Sequence, residues 1–270
     1  MTEELENWIA KRFIQRRDVK AVQFKNGAYS PDYKLEHPGH HAPMGFAREH
    51  LAAHLAGTST YGHYVLDADS KCRVITFDID LVDDFSGTWC DMLKVYQEEE
   101  PVFIGVNPRE VWQNRDMIDA RNWLKYQFKM LATKFCSAFV EMGLPTAAAY
   151  SGSKGIHVYG FCDPMDAKEA FEGAELALAM IDEFEPYKGS HTFIHRNTDP
   201  WSGYRNMTVE VYPKQESLEG KTLGNLLRLP LGRNLKSEDP TFFLDLDCPM
   251  VEFKPHPDPV RLLREGNPFQ

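Results

Sequence analysis

The run Cys72-Arg73-Val74-Ile75-Thr76-Phe77-Asp78-Ile79-Asp80 commits this chain to a strand that ends in acid. β-Branched and aromatic residues dominate it, as on a half-buried pleated surface. Side chains at i and i+2 of a strand share a face, so Asp78 and Asp80 stand side by side. Two carboxylates that close repel strongly in a low dielectric unless a cation sits between them. Mg²⁺ or Mn²⁺, hard ions that favour oxygen ligands, are the natural occupants. The pair alone proves little, because Asp-x-Asp also ends strands as a solvated loop entry.

A second motif lies far downstream, at Tyr150-Ser151-Gly152-Ser153-Lys154-Gly155-Ile156-His157-Val158-Tyr159-Gly160-Phe161. It reads as strand, tight turn, strand. Gly152 and Gly155 permit close backbone approach, so successive amides can form a concave anion site. Ser151, Ser153 and Lys154 add donors and charge, a set suited to a polyphosphate, and His157 can donate to a phosphate or to a nearby acid. A plain hairpin loop with a surface lysine has the same composition.

In Met207-Thr208-Val209-Glu210-Val211-Tyr212-Pro213-Lys214-Gln215, Glu210 is the sole acid of a strand-like segment. It needs a partner, either a neighbouring cation or a metal shared with Asp78 and Asp80. Then follows Gly224-Asn225-Leu226-Leu227-Arg228-Leu229-Pro230-Leu231-Gly232-Arg233-Asn234, a further short strand whose Asn225 and Arg228 interrupt an apolar run and must also find partners.

With these four stretches in this order, the chain resembles the archaeo-eukaryotic primase superfamily, which includes the primase-polymerases. Asp78 and Asp80 match its acidic pair, Ser151 to His157 its Ser-Gly-x-x-Gly-x-His turn, and Glu210 its single later acid, where many members carry Asp. Glu210 to Gln215 and Gly224 to Gly232 look most like the primase-polymerase domains of mobile elements, phages and bacterial conflict systems. The resemblance spans roughly residues 18–234. It implies an α/β fold with a central antiparallel, RRM-like sheet carrying the three motifs, plus an N-terminal α/β lobe; spacing alone supports only a mixed sheet. It implies template-directed nucleotidyl transfer by a two-metal mechanism, a DNA primase or polymerase using dNTP or NTP on single-stranded or primed DNA. Asp78, Asp80 and Glu210 would be catalytic and would hold two Mg²⁺ or Mn²⁺ ions. Ser151, Ser153, Lys154, Gly155, His157, Asn225 and Arg228 would bind nucleotide, His157 as a phosphate ligand and not as general base. A helicase domain or protein is a further expected partner. The same acids would also suit a two-metal phosphodiesterase or nicking nuclease, and the fold a catalytically silent nucleic-acid-binding module.

At 270 residues and 43% hydrophobic, the chain can bury a sizeable core. We expect one catalytic domain of two lobes over residues 1–240 and a Pro-rich tail or linker over 241–270. No apolar run approaches membrane length, and the start Met1-Thr2-Glu3-Glu4-Leu5-Glu6 lacks signal-peptide character, so a cytoplasmic setting is expected, in a bacterial or phage-infected cell. The five cysteines form no closely spaced pair, so no zinc is expected. A net charge of −10 argues against strong binding to phosphate backbones. Local basic stretches, Lys11-Arg12 with Arg16-Arg17 and Lys214 through Lys236, soften that objection.

Periodicity places helices over residues 3–17, 44–55 and 117–142, the last with Trp123, Phe128, Leu131, Phe135 and Phe139 as a core stripe. Asn26-Gly27 turns a hairpin, and residues 62–66 are expected to pair with 73–80 around Asp67-Ala68-Asp69. Residues 83–114, mixed and acidic with little periodicity, read as an insertion or a mobile loop. Asp166 caps a helix reaching about residue 184. Residues 185–206 read as a loop whose His191, His195, Trp201 and Tyr204 either line a template groove or simply fill the loop.

Overall fold

A computed structural model describes residues 2–37, 40–81, 108–195 and 207–267 of the chain. Helix α1 (Thr2–Phe13) leads into strands β1 (Ala21–Gln23), β2 (Tyr29–Pro31), β3 (Tyr33–His37) and β4 (His40–Pro43), helix α2 (Arg48–Leu55), and strands β5 (Tyr61–Tyr64) and β6 (Lys71–Leu81). Further along come helices α3 (Pro108–Gln113) and α4 (Ile118–Glu141), strands β7 (Thr146–Tyr150) and β8 (Gly155–Asp166), and helix α5 (Ala167–Ile181). Strands β9 (Phe184–Pro186), β10 (Thr192–His195), β11 (Met207–Tyr212), β12 (Leu226–Arg228) and β13 (Phe242–Phe243) and helix α6 (Pro259–Glu265) complete the order.

The acid-ended run is β6, at the middle of an antiparallel seven-stranded sheet in the order β13-β7-β8-β6-β11-β10-β9. Strand alternation sorts its residues to two faces. Ile75, Phe77, Ile79 and Leu81 join Ile156, Val158, Val209 and Val211 beneath α4 and α5, in one core with Leu124, Phe128, Leu131, Phe135 and Phe139. Phe77 packs at 4.2 Å from Phe135 and 5.2 Å from Phe139, ring centre to ring centre. The three phenylalanines of this contact are fully buried, and each such burial stabilises by about 1.5–3 kcal/mol. That stripe was visible in the helical spacing of α4.

The opposite face carries Val74 against α1, with Phe13, Tyr159 and Phe161 in a second core, and further along the strand it carries the acids. On this side lies a four-stranded sheet, β12-β5-β1-β2, the N-terminal lobe together with the strand that holds Arg228. Residues 241–267 lie along the same body: β13 pairs with β7, Leu262 and Leu263 are buried, and Arg12 on α1 donates to the Leu263 carbonyl at 2.7 Å.

Four local expectations are corrected. β5 does not pair with β6 but with β1 and β12, because both edges of β6 are taken by β8 and β11. Asp166 stands at the helix N-cap without a side-chain cap bond, its carboxylate 3.5 Å from Lys71, and α5 stops at Ile181. The stretch read as a loop over 185–206 contributes β9 and β10 to the sheet edge, and the side chains of His195, Trp201 and Tyr204 lie outside the described residues. Within the supposed insertion, residues 108–113 form α3, while 82–107, with Cys90, lie outside the description.

Candidate active site

Register gathers the motifs. Asp78 on β6 stands directly opposite Glu210 on β11 and opposite His157 on β8, and Asp80 stands opposite Gly155. Paired residues of adjacent strands share a face, so residues spread over more than 130 positions meet on one patch. A cleft of about 240 Å³ opens there, lined by Asp78, Asp80, Ser151, Ser153, Lys154, His157 and Arg228 from the sequence-derived set.

The turn between β7 and β8 is held from behind by its carbonyls. Ser151 O accepts from Arg228 and, at 3.3 Å, from Asn234. Ser237 donates to Gly152 O, and Trp112 Nε1 and Tyr150 Oη both donate to Ser153 O, the latter at 3.0 Å. Gly152 takes φ +72°, a left-handed value that a side chain there would strain. Among the described residues the amides of Gly152 and Ser153 meet no acceptor. Successive amides left without an acceptor in a turn whose carbonyls are tied are suited to taking an anion.

Each acid has its own cation. Asp78 Oδ1 lies 3.3 Å from His157 Nε2, whose ring Nδ1 is 2.9 Å from Tyr159 Oη. Asp80 lies 3.1 Å from Lys154 Nζ, and Glu210 lies 2.7 Å from Lys214 Nζ and 3.2 Å from Tyr212 Oη. Glu210 is therefore beside Asp78 in register but turned aside, and it does not line the cleft. Asn225 also stands apart: its Oδ1 accepts from the Lys214 amide at 3.2 Å, which braces the segment after Glu210. Gly155 contributes backbone alone.

The donor chemistry suits a hard divalent ion. Among the described residues no three His, Cys, Asp or Glu side chains are close enough to ligate one ion as they stand. Cross-strand neighbours have Cβ atoms only about 4.5–5.5 Å apart, so Glu210, opposite Asp78 in register, is the acid on the neighbouring strand nearest to the pair. The charge balance points the same way. Burial pushes the Asp78 carboxyl up, but His157, Arg228 and Lys214 outweigh it and hold it below the usual range. Asp80 is raised to about 6 by burial and by the Asp78 charge, against the pull of Lys154. Negative charge is thus in excess at Asp80.

A stability prediction follows. A carboxyl raised in the folded state binds more protons folded than unfolded between its ordinary value and about pH 6, so stability falls as pH rises through that window. In metal-free protein Asp80→Asn should therefore unfold at higher temperature at pH 7.5, by on the order of 1 kcal/mol after solvent screening, or about 2 °C. The gain should vanish at pH 4. Thermal unfolding in EDTA at the two pH values checks it, and an equal or lower midpoint at pH 7.5 would show that Asp80 carries no excess charge.

Several residues of the site escaped the sequence reading. Gln23, Tyr29, Tyr212 and Asn234 also line the cleft. Gln23 bonds Asn234 at 3.2 Å and accepts from the Leu235 amide at 2.9 Å, tying the N-terminal lobe to the turn's support. No motif marks Gln23. Trp112 carried a signal: an aromatic among Arg109, Arg115 and Arg121 is the interleaving expected of a nucleic-acid surface.

A family profile described as "AEP-TOTE: TOTE conflict system, Archaeo-Eukaryotic Primase domain" matches residues 7–268. No curated protein matches the chain. Among solved structures, the polymerase domain of Ligase D from Mycobacterium tuberculosis, in complex with DNA, aligns over 98% of this chain and 88% of that one. Identity is 14% and the TM-score 0.43, too loose a likeness to carry an argument.

Proposed function

The chain belongs to the archaeo-eukaryotic primase family of TOTE conflict systems, and from that premise we propose that it is a DNA-templated nucleotidyltransferase, a primase-polymerase working by a two-metal mechanism. The observation that carries this reading is the register match of Asp78 with both Glu210 and His157, beside a turn whose Ser151, Ser153 and Lys154 line the same cleft as the acids.

Asp78 and Asp80 are the residues that would hold divalent ions, with Glu210 joining them on release from Lys214. Bound there, the ions would supply the charge that stabilises the attacking 3′-hydroxyl and the leaving pyrophosphate. The amides of Gly152 and Ser153, the Ser151 and Ser153 hydroxyls and Lys154 bind the triphosphate and fix it in line with the primer end. Lys154 passes from Asp80 to phosphate when nucleotide arrives, so one cation serves the acid in the free protein and the substrate in the complex. His157 does the same between Asp78 and phosphate, oriented throughout by Tyr159. Arg228 acts from behind, fixing the Ser151 carbonyl, and its charge reaches the cleft that it lines.

The test is extension of a labelled primer on a single-stranded DNA template, with separate dNTP and NTP pools in Mg²⁺ or Mn²⁺. Metal-dependent ladders of lengthened product are expected. Shortened strands without any nucleoside triphosphate would assign a nuclease instead, and binding with no reaction in any pool would assign a silent module.

A further inference from the structure

We propose that a second pocket, on the other side of the Ser153-Lys154 turn from the catalytic cleft, seats a single strand of nucleic acid by its phosphates and stacked bases. The choice of nucleic acid over other polyanions rests on the nucleotidyl-transfer reading; the pocket's character does not. Its volume is about 650 Å³, and Ser153 and Lys154 line both it and the cleft. It lies between α3, the start of α4 and the loop after Asn234.

Among the described residues six cations line it, Arg109, Arg115, Arg121, Lys125, Lys154 and Lys236, against one acid, Asp239. In a chain of net charge −10, that concentration of one sign is a local field built against the trend. Arg115, Arg121, Lys125 and Lys236 make no ion pair among the described residues. Arg121 Nε is buried and meets no hydrogen-bond acceptor there, while its guanidinium lies 5.9 Å from the Trp112 ring centre. Burial and the neighbouring Arg121 charge depress the Lys125 ammonium. Donors without acceptors and cations crowded on cations describe a site whose anion comes from outside.

The aromatic wall narrows the anion's identity. Tyr150, Phe242 and Phe253 line the pocket half-buried, with ring centres 5.4 Å apart for Tyr150 and Phe242 and 5.7 Å for Tyr150 and Phe253. Inorganic phosphate has no use for such a wall, whereas each base stacked on a ring gains about 1–3 kcal/mol. Ser153 and Lys154 line both the pocket and the catalytic cleft, so a strand seated here borders the catalytic acids. Occupancy is also coupled to the phosphate turn, because Trp112 and Tyr150 hold the Ser153 carbonyl from this side.

The experiment is fluorescence anisotropy of a labelled 15-nucleotide single-stranded DNA with the full chain, in EDTA and without nucleotide, over a salt series. Arg121→Gln/Lys125→Gln should weaken binding about tenfold or more and reduce the slope of log affinity against log salt by about 1.4, two phosphates at ~0.7 each. Lys236→Gln, an exposed loop position, should reduce it by about 0.7 and guards against a misfolded double variant. Lys168→Gln, exposed on α5 and paired with Glu172, is the control and should change neither. Unaltered affinity and slope in both pocket variants would overturn the proposal, as would wild-type protein that does not bind. Displacement of the strand by free nucleoside triphosphate as readily as by unlabelled strand would overturn it too, assigning a second nucleotide site. Turnover plays no part in this readout, so a chain that binds here but never extends a primer would sink the polymerase reading and leave the pocket assigned.

Discussion

Replacing Asp78 with asparagine will lower primer extension by about 10³-fold or more, equivalent to roughly 4 kcal/mol of transition-state stabilisation, while the protein stays folded. Asp78 is held ionised by His157, Arg228 and Lys214, with its carboxyl below the usual range despite burial. It is also the one with a functional neighbour on each flanking strand, Glu210 and His157. Asparagine keeps the shape and one oxygen but removes the charge that a divalent ion needs. The fold should survive, because the strand is held by Phe77 and Ile79 on its other face. The paired measurement is primer extension beside thermal unfolding and Mn²⁺ titration by calorimetry. Extension within tenfold of the parent, with metal affinity intact, would remove Asp78 from the catalytic set and with it the two-metal reading.

Gly155→Ala should cost both activity and stability. Gly155 stands opposite Asp80 in the β6–β8 ladder, and a Cβ there would overlap Asp80 Oδ1 and the Ile79 carbonyl oxygen. Its φ is unexceptional, so the demand is for space and not for an unusual backbone. Relief requires the strand ends to part or the Asp80 side chain to leave its position. Overpacking of this kind costs about 1–3 kcal/mol, and a displacement of about 1 Å at a reacting centre costs on the order of 10²-fold in rate. A variant that unfolds with the parent midpoint and extends primers within twofold would show that Asp80 does not act from this position.

These two residues illustrate how legible the site was. Asp78 was visible because period-2 alternation is a local property: an acid inside an apolar β-branched run declares its face. Gly155 was visible as a turn glycine, but its actual duty, making room for Asp80, involves a residue 75 positions away that no local pattern names. Glu210 was legible as an acid needing a partner; that the partner in the free protein is Lys214, four residues on, turns on a rotamer. Asn225 looked equally out of place in its run, yet it braces the Lys214 backbone away from the cleft. Trp112 and Gln23 hold the turn between β7 and β8, directly or through Asn234, and lie outside every motif.

The sequence by itself determined which segments become strands and helices where one face had to be buried: the acid-ended strand, the phenylalanine stripe of α4, and the turn between two alternating strands. Those outcomes follow from periodicity, because burying the wrong face costs kilocalories at every second or third residue. Tertiary structure alone decided the partners. It put β5 with β1 and β12, brought β9 and β10 to the sheet edge, and closed the basic pocket from α3, α4 and the loop after Asn234. Pairing and charge clustering depend on which surfaces meet once loops have closed, and a strand's pattern specifies its face without specifying its neighbour.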